Sequence, residues 1–463
     1  MTKDLEFSYR DEFNRAPLGQ KICFILESNI DISPMIIDGD WGTGKTEFCH
    51  KLIKLIRNND RYGVIYIDAF KADHTNEPLL TILAEVINLI PNDEKDSFIR
   101  KAIPAARFGI KTLGKAAVAH ILRQDYMDVA NDFDKDISKV TDKIIDSSVE
   151  SLLNDHIEAE KSLKGLQTAL ERIGEEKPLI LFIDELDRCR PDFAINMLEV
   201  IKHTFDVKGV KFVFITNTEQ LKHSIAKFYG NPIGTQRYLD KFIKYSISLP
   251  KTINTSNRSK INASLEYYRS LIYKNEFSEC IALRDNEIIK MLRQIITVNN
   301  LSLRDIEKIV RSLGIYILLN PNNFISTNEY TRGRNILSML GIIIFSLYHS
   351  EAKKISMNDI DINAISKILG VTMDISYTND ENKYDEYYEK LNDERLCRYI
   401  CYWLNLSSLT PVQSFTLSVD NENYKEYNDS IHYYFSGPIN YRSGTTYSKY
   451  CSEAINILSL YEV

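Results

Sequence analysis

Apolar residues fall along this chain in two rhythms. Short unbroken runs occur at Met35-Ile36-Ile37, Val64-Ile65-Tyr66-Ile67, Leu179-Ile180-Leu181-Phe182-Ile183 and Val210 to Ile215. Runs of that length, rich in β-branched and aromatic residues, predict strands buried on both faces, as in a parallel sheet. Between them the apolar positions recur every three or four residues. Phe48, Leu52, Ile53 and Ile56 form one such stripe, and residues 77–90 (stopped by Pro91), 193–205 and 219–228 read as further helices. Residues 245–249 alternate like a last strand and end at Pro250, while residues 1–33 read as a helical lead-in. Strands alternating with helices predict an α/β fold, a parallel sheet between two helical layers.

The alternation is interrupted once. Residues 92–176 are too long for a simple connection and must carry structure of their own. Val129, Phe133, Ile137, Val140 and Ile144, then Leu152, Leu153, Ile157, Leu163, Leu166 and Leu170, predict long amphipathic helices there. Beyond residue 250 the pattern is mostly helical. Ser302 with Asp305 reads as a capping box ahead of the stripe Ile306, Ile309, Val310 and Leu313. Residues 336–348 form the longest apolar run, shorter than the roughly 20 residues that span a bilayer, and predict a buried core helix. Residues 374–395, acidic and rich in Tyr and Asn, are expected as a loop or exposed insert. Cys397 and Cys401 share a helix face and read as buried thiols. The expected layout is a core of residues 1–91 and 177–250, a helical insert 92–176, a lid-like helical region 251–320 and a Tyr-rich helical region 321–463.

Between the first strand and its helix, Gly39-Asp40-Trp41-Gly42-Thr43-Gly44-Lys45-Thr46 fits the phosphate-loop pattern G-x-x-x-x-G-K-[ST], with Glu47 next. Glycines let successive backbone N–H groups turn inward on phosphate oxygens, and the following helix directs its positive end at the same anion. Lys45 is expected on the β- and γ-phosphates and Thr46 on Mg²⁺. The third strand ends in Asp184-Glu185. Asp184 is a candidate for the Mg²⁺ shell, and Glu185 for orienting or deprotonating an attacking water, with Asp187 as second choice. Asn217 is placed to sense the γ-phosphate or hold the water, and it also suits a cap on the next helix, two roles that are compatible. Arg15 sits either against an adenine ring or on an ordinary surface. For an arginine finger or sensor the candidates are Arg237, then Arg304, then Arg188.

Composition narrows the classes. The 463 residues are 44% hydrophobic and 26% charged, an ordinary globular balance with room for two or three domains. The net charge of −7 provides no global basic field for nucleic acid. Arg100, Lys101, Arg107, Lys111, Lys115 and Arg123 nevertheless form a local basic segment, suited to an anionic membrane surface, a nucleic-acid backbone or a solvated helix face. The tyrosines of residues 414–450 fit base stacking, a partner surface or the cover of a small core. The 7 cysteines lack disulfide-framework spacing, and the N-terminus lacks a signal-peptide core, so a cytoplasmic location is expected.

The tryptophan-bearing loop at 39–46, the run Ile183-Asp-Glu-Leu-Asp-Arg-Cys189 with Arg190-Pro191, and the segment Tyr238-Leu-Asp-Lys-Phe-Ile243 together resemble the KAP family of P-loop NTPases over roughly residues 8–315. The resemblance implies an additional-strand fold related to the STAND and AAA+ groups, with the Asp184 strand one strand removed from the loop strand. It implies ATP and Mg²⁺, with hydrolysis near Glu185 or Asp187. Family members often carry Asp where this chain has Glu185. Many also insert transmembrane helices between the two motifs. Here charged residues break every apolar run of the insert, so no transmembrane helix is expected and only peripheral membrane contact stays open. Bacterial members resemble components of anti-phage systems. The expectation is therefore an ATP-controlled switch or assembly factor with a protein partner or a homo-oligomer. The alternatives are a scaffold with a structural nucleotide site and a nucleic-acid-stimulated ATPase.

Overall fold

The computed structural model describes residues 6–9, 11, 13–109, 149–229, 234–254, 260–328, 331–371, 385–417, 423–435 and 447–460. The chain forms two compact units, one of Met1–Asp11 with Arg15–Leu249 and one of Glu12–Asn14 with Pro250–Val463.

The first unit is built on a five-stranded sheet. Its strands are β1 (Met35–Asp38), β2 (Gly63–Asp68), β3 (Leu179–Asp184), β4 (Val210–Thr216) and β5 (Tyr245–Ser248), in the order β2-β3-β4-β1-β5, and every pairing is parallel. Alternate residues feed two separate cores. Met35, Ile37, Val64, Ile180, Phe182, Val213 and Ile215 pack with α1 (Ala16–Glu27) and α2 (Lys45–Arg57). Ile36, Ile65, Ile67, Leu181, Ile183, Phe212 and Phe214 face the other layer. That layer holds α3 (Pro78–Leu89), α4 (Asn92–Gly109), α5 (Val149–Glu176), α6 (Pro191–Val200) and α7 (Thr218–Tyr229). Burial on both faces is why the strands read as unbroken apolar runs. The fold is the expected three-layer α/β arrangement.

Two consequences of the topology position the site. β4 lies between β1 and β3, so the loop strand and the acid strand are one strand apart. The register pairs Asp38 with Thr216 and Asp68 with Asp184, so the carboxyl ends of these strands reach one edge together. Open parallel sheets gather ligands at that edge.

Pro91 acts differently from a simple stop. Ile90 is extended, as the residue before proline prefers, and the Pro91 carbonyl then accepts from the Glu94 and Lys95 amides, so it opens α4 as well as closing α3. Leu166, Ala169 and Leu170 of α5 are buried in the second core. Near its end Gly174 meets Gly209, where a Cβ on Gly174 would sit 2.9 Å from the facing backbone; Gly209 has φ +83°. The periodicity from Val129 to Ile144 and the basic residues Lys111, Lys115 and Arg123 lie outside the described residues; Arg100 and Lys101 are exposed on α4. No helix of the described residues is long and apolar enough to cross a membrane.

The second unit opens with the antiparallel pair β6 (Thr252–Asn254) and β7 (Lys260–Asn262), and its other elements among the described residues are helical. It contains α8 (Ala263–Ile272), α9 (Asn286–Asn299), α10 (Leu303–Leu319), α11 (Arg332–Leu347) and α12 (Ile362–Leu369), then α13 (Asp385–Leu406), α14 (Tyr424–Phe435) and α15 (Ser448–Leu458). Ser302 and Asp305 form the expected capping box on α10. α11 is buried nearly all round and is the core helix expected at residues 336–348. Of the residues expected as a loop or exposed insert, 374–384 lie outside the described residues and 385–395 are helical, because α13 already runs from Asp385. The helix is held from its later part. Leu396, Cys397, Ile400, Cys401 and Trp403 are buried, and Asp393, 2% exposed, pairs with Arg293 at 3.4 Å. Tyr402, Tyr427 and Tyr434 are buried, so these tyrosines cover the core, and both thiols at 397 and 401 are fully enclosed.

Candidate functional site

The residues after β1 fold as a tight loop because two of them adopt left-handed backbone, Gly42 and Gly44, both at φ 77°. Side chains are strained there, which explains glycine at both positions. A Cβ at Gly39 would lie 2.9 Å from Thr43 Oγ1, so the loop also needs close approach at its start. The Asp40 carbonyl accepts from the Thr43 hydroxyl at 2.8 Å. Lys45 Nζ reaches back over the loop and donates to the Gly39 and Asp40 carbonyls at 2.6 and 3.0 Å. Beneath the loop Arg15, 5% exposed, donates to the Thr43 carbonyl at 2.9 Å. Glu47 turns along α2 and pairs with Lys51 at 2.8 Å.

Asp184 ends β3 almost fully buried, at 1% exposure. Its oxygens accept from the Glu185 amide at 2.8 Å and from the Tyr66 hydroxyl at 3.2 Å, and the Thr46 hydroxyl bonds the same carboxylate. Burial raises the Asp184 pKa above the ordinary carboxylate value, against those three hydrogen bonds and the charge of Lys45. Burial lowers the Lys45 pKa, against the pull of Asp187, Asp184 and Asp38. Burial, then the neighbouring Asp184, holds the Tyr66 phenol protonated far above its usual range.

Glu185 has left-handed backbone at φ 61°, uncommon for a glutamate, and its carboxylate pairs with Arg188 at 2.7 Å. Asp187 accepts from the Trp41 indole at 2.6 Å and from the Thr216 hydroxyl at 3.0 Å. Arg190 is tied back to the turn after β2. Its backbone and side chain bond the Asp73 carboxylate at 3.1 Å, and its guanidinium also meets the Asp73 carbonyl and Asn76.

The structure thus brings together Lys45, Thr46, Asp184, Glu185, Asp187 and Arg188 at the carboxyl edge of the sheet. Asn217 caps α7, its side-chain oxygen accepting from the Glu219 and Gln220 amides at 3.1 and 3.2 Å. Arg237 lies exposed on the short helix Thr235–Leu239 of the first unit, and Arg304 lies exposed near the start of α10 in the second. Sequence reasoning gave no role to Tyr66, Asp73 or Asp38, whose carboxylate accepts from the Thr218 amide at 2.8 Å, and it read Thr216 only as one of the polar residues that end β4. Position within a strand is the signal for three of them. Asp38 and Thr216 end their strands in register, and Tyr66 lies two residues from the end of β2.

A loop of inward-turning backbone, a lysine across it, and a hydroxyl beside a buried carboxylate suit a polyphosphate with a divalent cation. Among the described residues no group of three or more His, Cys, Asp or Glu is arranged to hold a metal. One hydroxyl and one carboxylate, with the remaining ligands from phosphate and water, is the donor set Mg²⁺ takes in nucleotide sites. The residues present fit both groups.

No curated protein matches the sequence. The family model described as the KAP family P-loop domain matches residues 20–320, more than half of the chain. The matched stretch contains both the loop and the acid-bearing strand assembled above, and with that extent of agreement the chain belongs to the KAP family of P-loop NTPases.

Proposed function

We propose that the protein is a Mg²⁺-dependent ATPase that uses its nucleotide state to control a partner or its own assembly. One observation carries the reading: Thr46 and the buried Asp184 share a hydrogen bond beside the loop, with Lys45 close enough to influence that carboxylate. Lys45 would leave the Gly39 and Asp40 carbonyls for the terminal phosphates, and the loop amides would bind the bridging oxygens. Thr46 and Asp184 would hold Mg²⁺, which when bound supplies charge neutralisation on the transferring phosphoryl group. Glu185 would orient the attacking water and take its proton once Arg188 yields the carboxylate. Arg15 would brace the loop from behind. Arg237, exposed, would serve as a finger toward a neighbouring subunit.

The test is ATP turnover by wild type and Lys45→Ala, with solution mass recorded with and without Mg-ATP. Turnover at least about 100-fold lower in the variant, with an ATP-dependent mass change in wild type only, is the expected result. Tightly bound nucleotide with negligible turnover in wild type would instead favour a structural nucleotide site. A defence role rests on the family resemblance alone, and its test is phage plating on cells carrying wild type or Lys45→Ala.

A further inference from the structure

Trp41 occupies a position that the phosphate-loop pattern leaves open, yet it is fixed by one contact. The residue is 47% exposed, which is not how a side chain placed for core packing sits. The pinned atom is the indole N–H, 2.6 Å from Asp187 Oδ2. The other oxygen of Asp187 accepts from Thr216 Oγ1 at 3.0 Å, and Asp187 itself is only 7% exposed. One buried carboxylate is therefore bonded to the loop after β1 and to the end of β4. It also lies in the short turn Leu186–Arg188, directly after Glu185. The Glu185 backbone is left-handed, and its amide is tied to the Ile215 carbonyl at 3.2 Å, one residue before Thr216. The same anchor thus fixes the turn that aims the Glu185 carboxylate.

We infer that Trp41 and Asp187 form a latch through which the conformation of the phosphate loop sets the position of Glu185. Asp187 is then a positioning residue, with both oxygens held by Trp41 and Thr216, and it is not the group that takes the proton from water. This inference rests on the phosphate-loop reading for its catalytic consequence and on the hydrogen bonds alone for its structural one. A charge-assisted bond of this kind is short and directional, so small displacements of the indole are passed to the carboxylate rather than absorbed.

The experiment is a double-mutant cycle with W41F, D187A and W41F/D187A, read by kcat, KM and tryptophan emission. The chain has 2 tryptophans, and Trp403 is fully buried in the second unit, so the difference between wild type and W41F isolates Trp41. The latch predicts that each single change lowers kcat about 10-fold with KM changed less than about 3-fold, and that the double variant is no worse than either. It also predicts that D187A shifts Trp41 emission in nucleotide-free protein, because the indole loses its acceptor. A merely structural role would not produce that kcat-specific, non-additive pattern. If D187A costs about 1,000-fold or more in the W41F background as in wild type, Asp187 is a base and the latch is overturned. Unchanged Trp41 emission in D187A overturns it as well, whatever the turnover. A wild type that neither binds nor turns over nucleotide, with the emission shift intact, removes the nucleotide reading and leaves the hydrogen-bonded latch supported.

Discussion

At the scale of single residues, the three carboxylates of the site differ in how they are held. Asp184 is buried and hydrogen-bonded from three sides, and Asp187 has both oxygens engaged. Glu185 differs, because its carboxylate is held by an ion pair with Arg188 at 2.7 Å, the side chains of Glu185 and Arg188 being 17% and 30% exposed. In the proposed mechanism the incoming phosphates would draw the guanidinium away and leave that carboxylate to a water. Glu185→Gln is therefore expected to lower kcat by about 100- to 10,000-fold while nucleotide stays bound, since the amide keeps the shape and loses the basicity. Single-turnover kinetics alongside filter binding of labelled ATP measure both quantities. Turnover equal to wild type would remove Glu185 from the mechanism. The residue scale also shows what the sequence made legible. The fixed positions of the loop, from Gly39 to Thr46, could be read because each answers a local requirement of backbone or charge. The contact of Trp41 with Asp187 could not, because the two residues are 146 positions apart and only the β1-β4-β3 order brings them together. Asn217 left two readings open in the sequence, and its geometry is that of a helix cap.

At the scale of elements, strands were legible and helix limits less so. β1 to β4 announced themselves as unbroken apolar runs because both faces of the sheet are covered. α13 did not, because its first turns are acidic and polar and its stability comes from packing near Trp403, far along the helix. α11 shows the opposite case, a helix whose apolar run was plain but whose neighbours were not. Gly341 on α11 lets α15 approach so closely that a Cβ there would lie 2.5 Å from the Cys451 carbonyl and 3.1 Å from the Ala454 side chain. A backbone oxygen cannot rotate away as a side-chain tip can, so the helices must separate to admit a methyl group. Gly341→Ala raises helix propensity by about 1 kcal/mol, yet overpacking of this kind costs about 1–3 kcal/mol. The expected net result is destabilisation, read as an earlier midpoint in chemical denaturation of residues 250–463. A later midpoint would show that the contact is looser than the distance implies.

At the scale of the molecule, the question is whether two units with separate cores respond to one nucleotide. The loop and all of the acid set belong to the first unit, and the second has a hydrophobic core of its own that also takes in Phe13. A ligand that binds only the native first unit stabilises it by mass action, about 2.7 kcal/mol at 100 times its Kd. For a unit of this size that raises its melting temperature by roughly 5–10 °C. A scaffold with an isolated nucleotide site would stop there, leaving the melting of the helical unit where it was. A switch cannot, because a nucleotide moves an equilibrium in the helical unit only by binding its two states differently, and that difference must return as stability. The proposed switch therefore predicts that Mg-ATP raises the melting of residues 250–463 within the full chain and leaves the same residues unchanged when expressed alone. Hydrogen exchange on α11 peptides, heated with and without nucleotide, separates the two units in a single sample. Protection gained in α11 of the full chain and lost in Lys45→Ala would tie the coupling to the phosphate loop. Protection that never changes would mean that the nucleotide's influence ends at the edge of its own sheet.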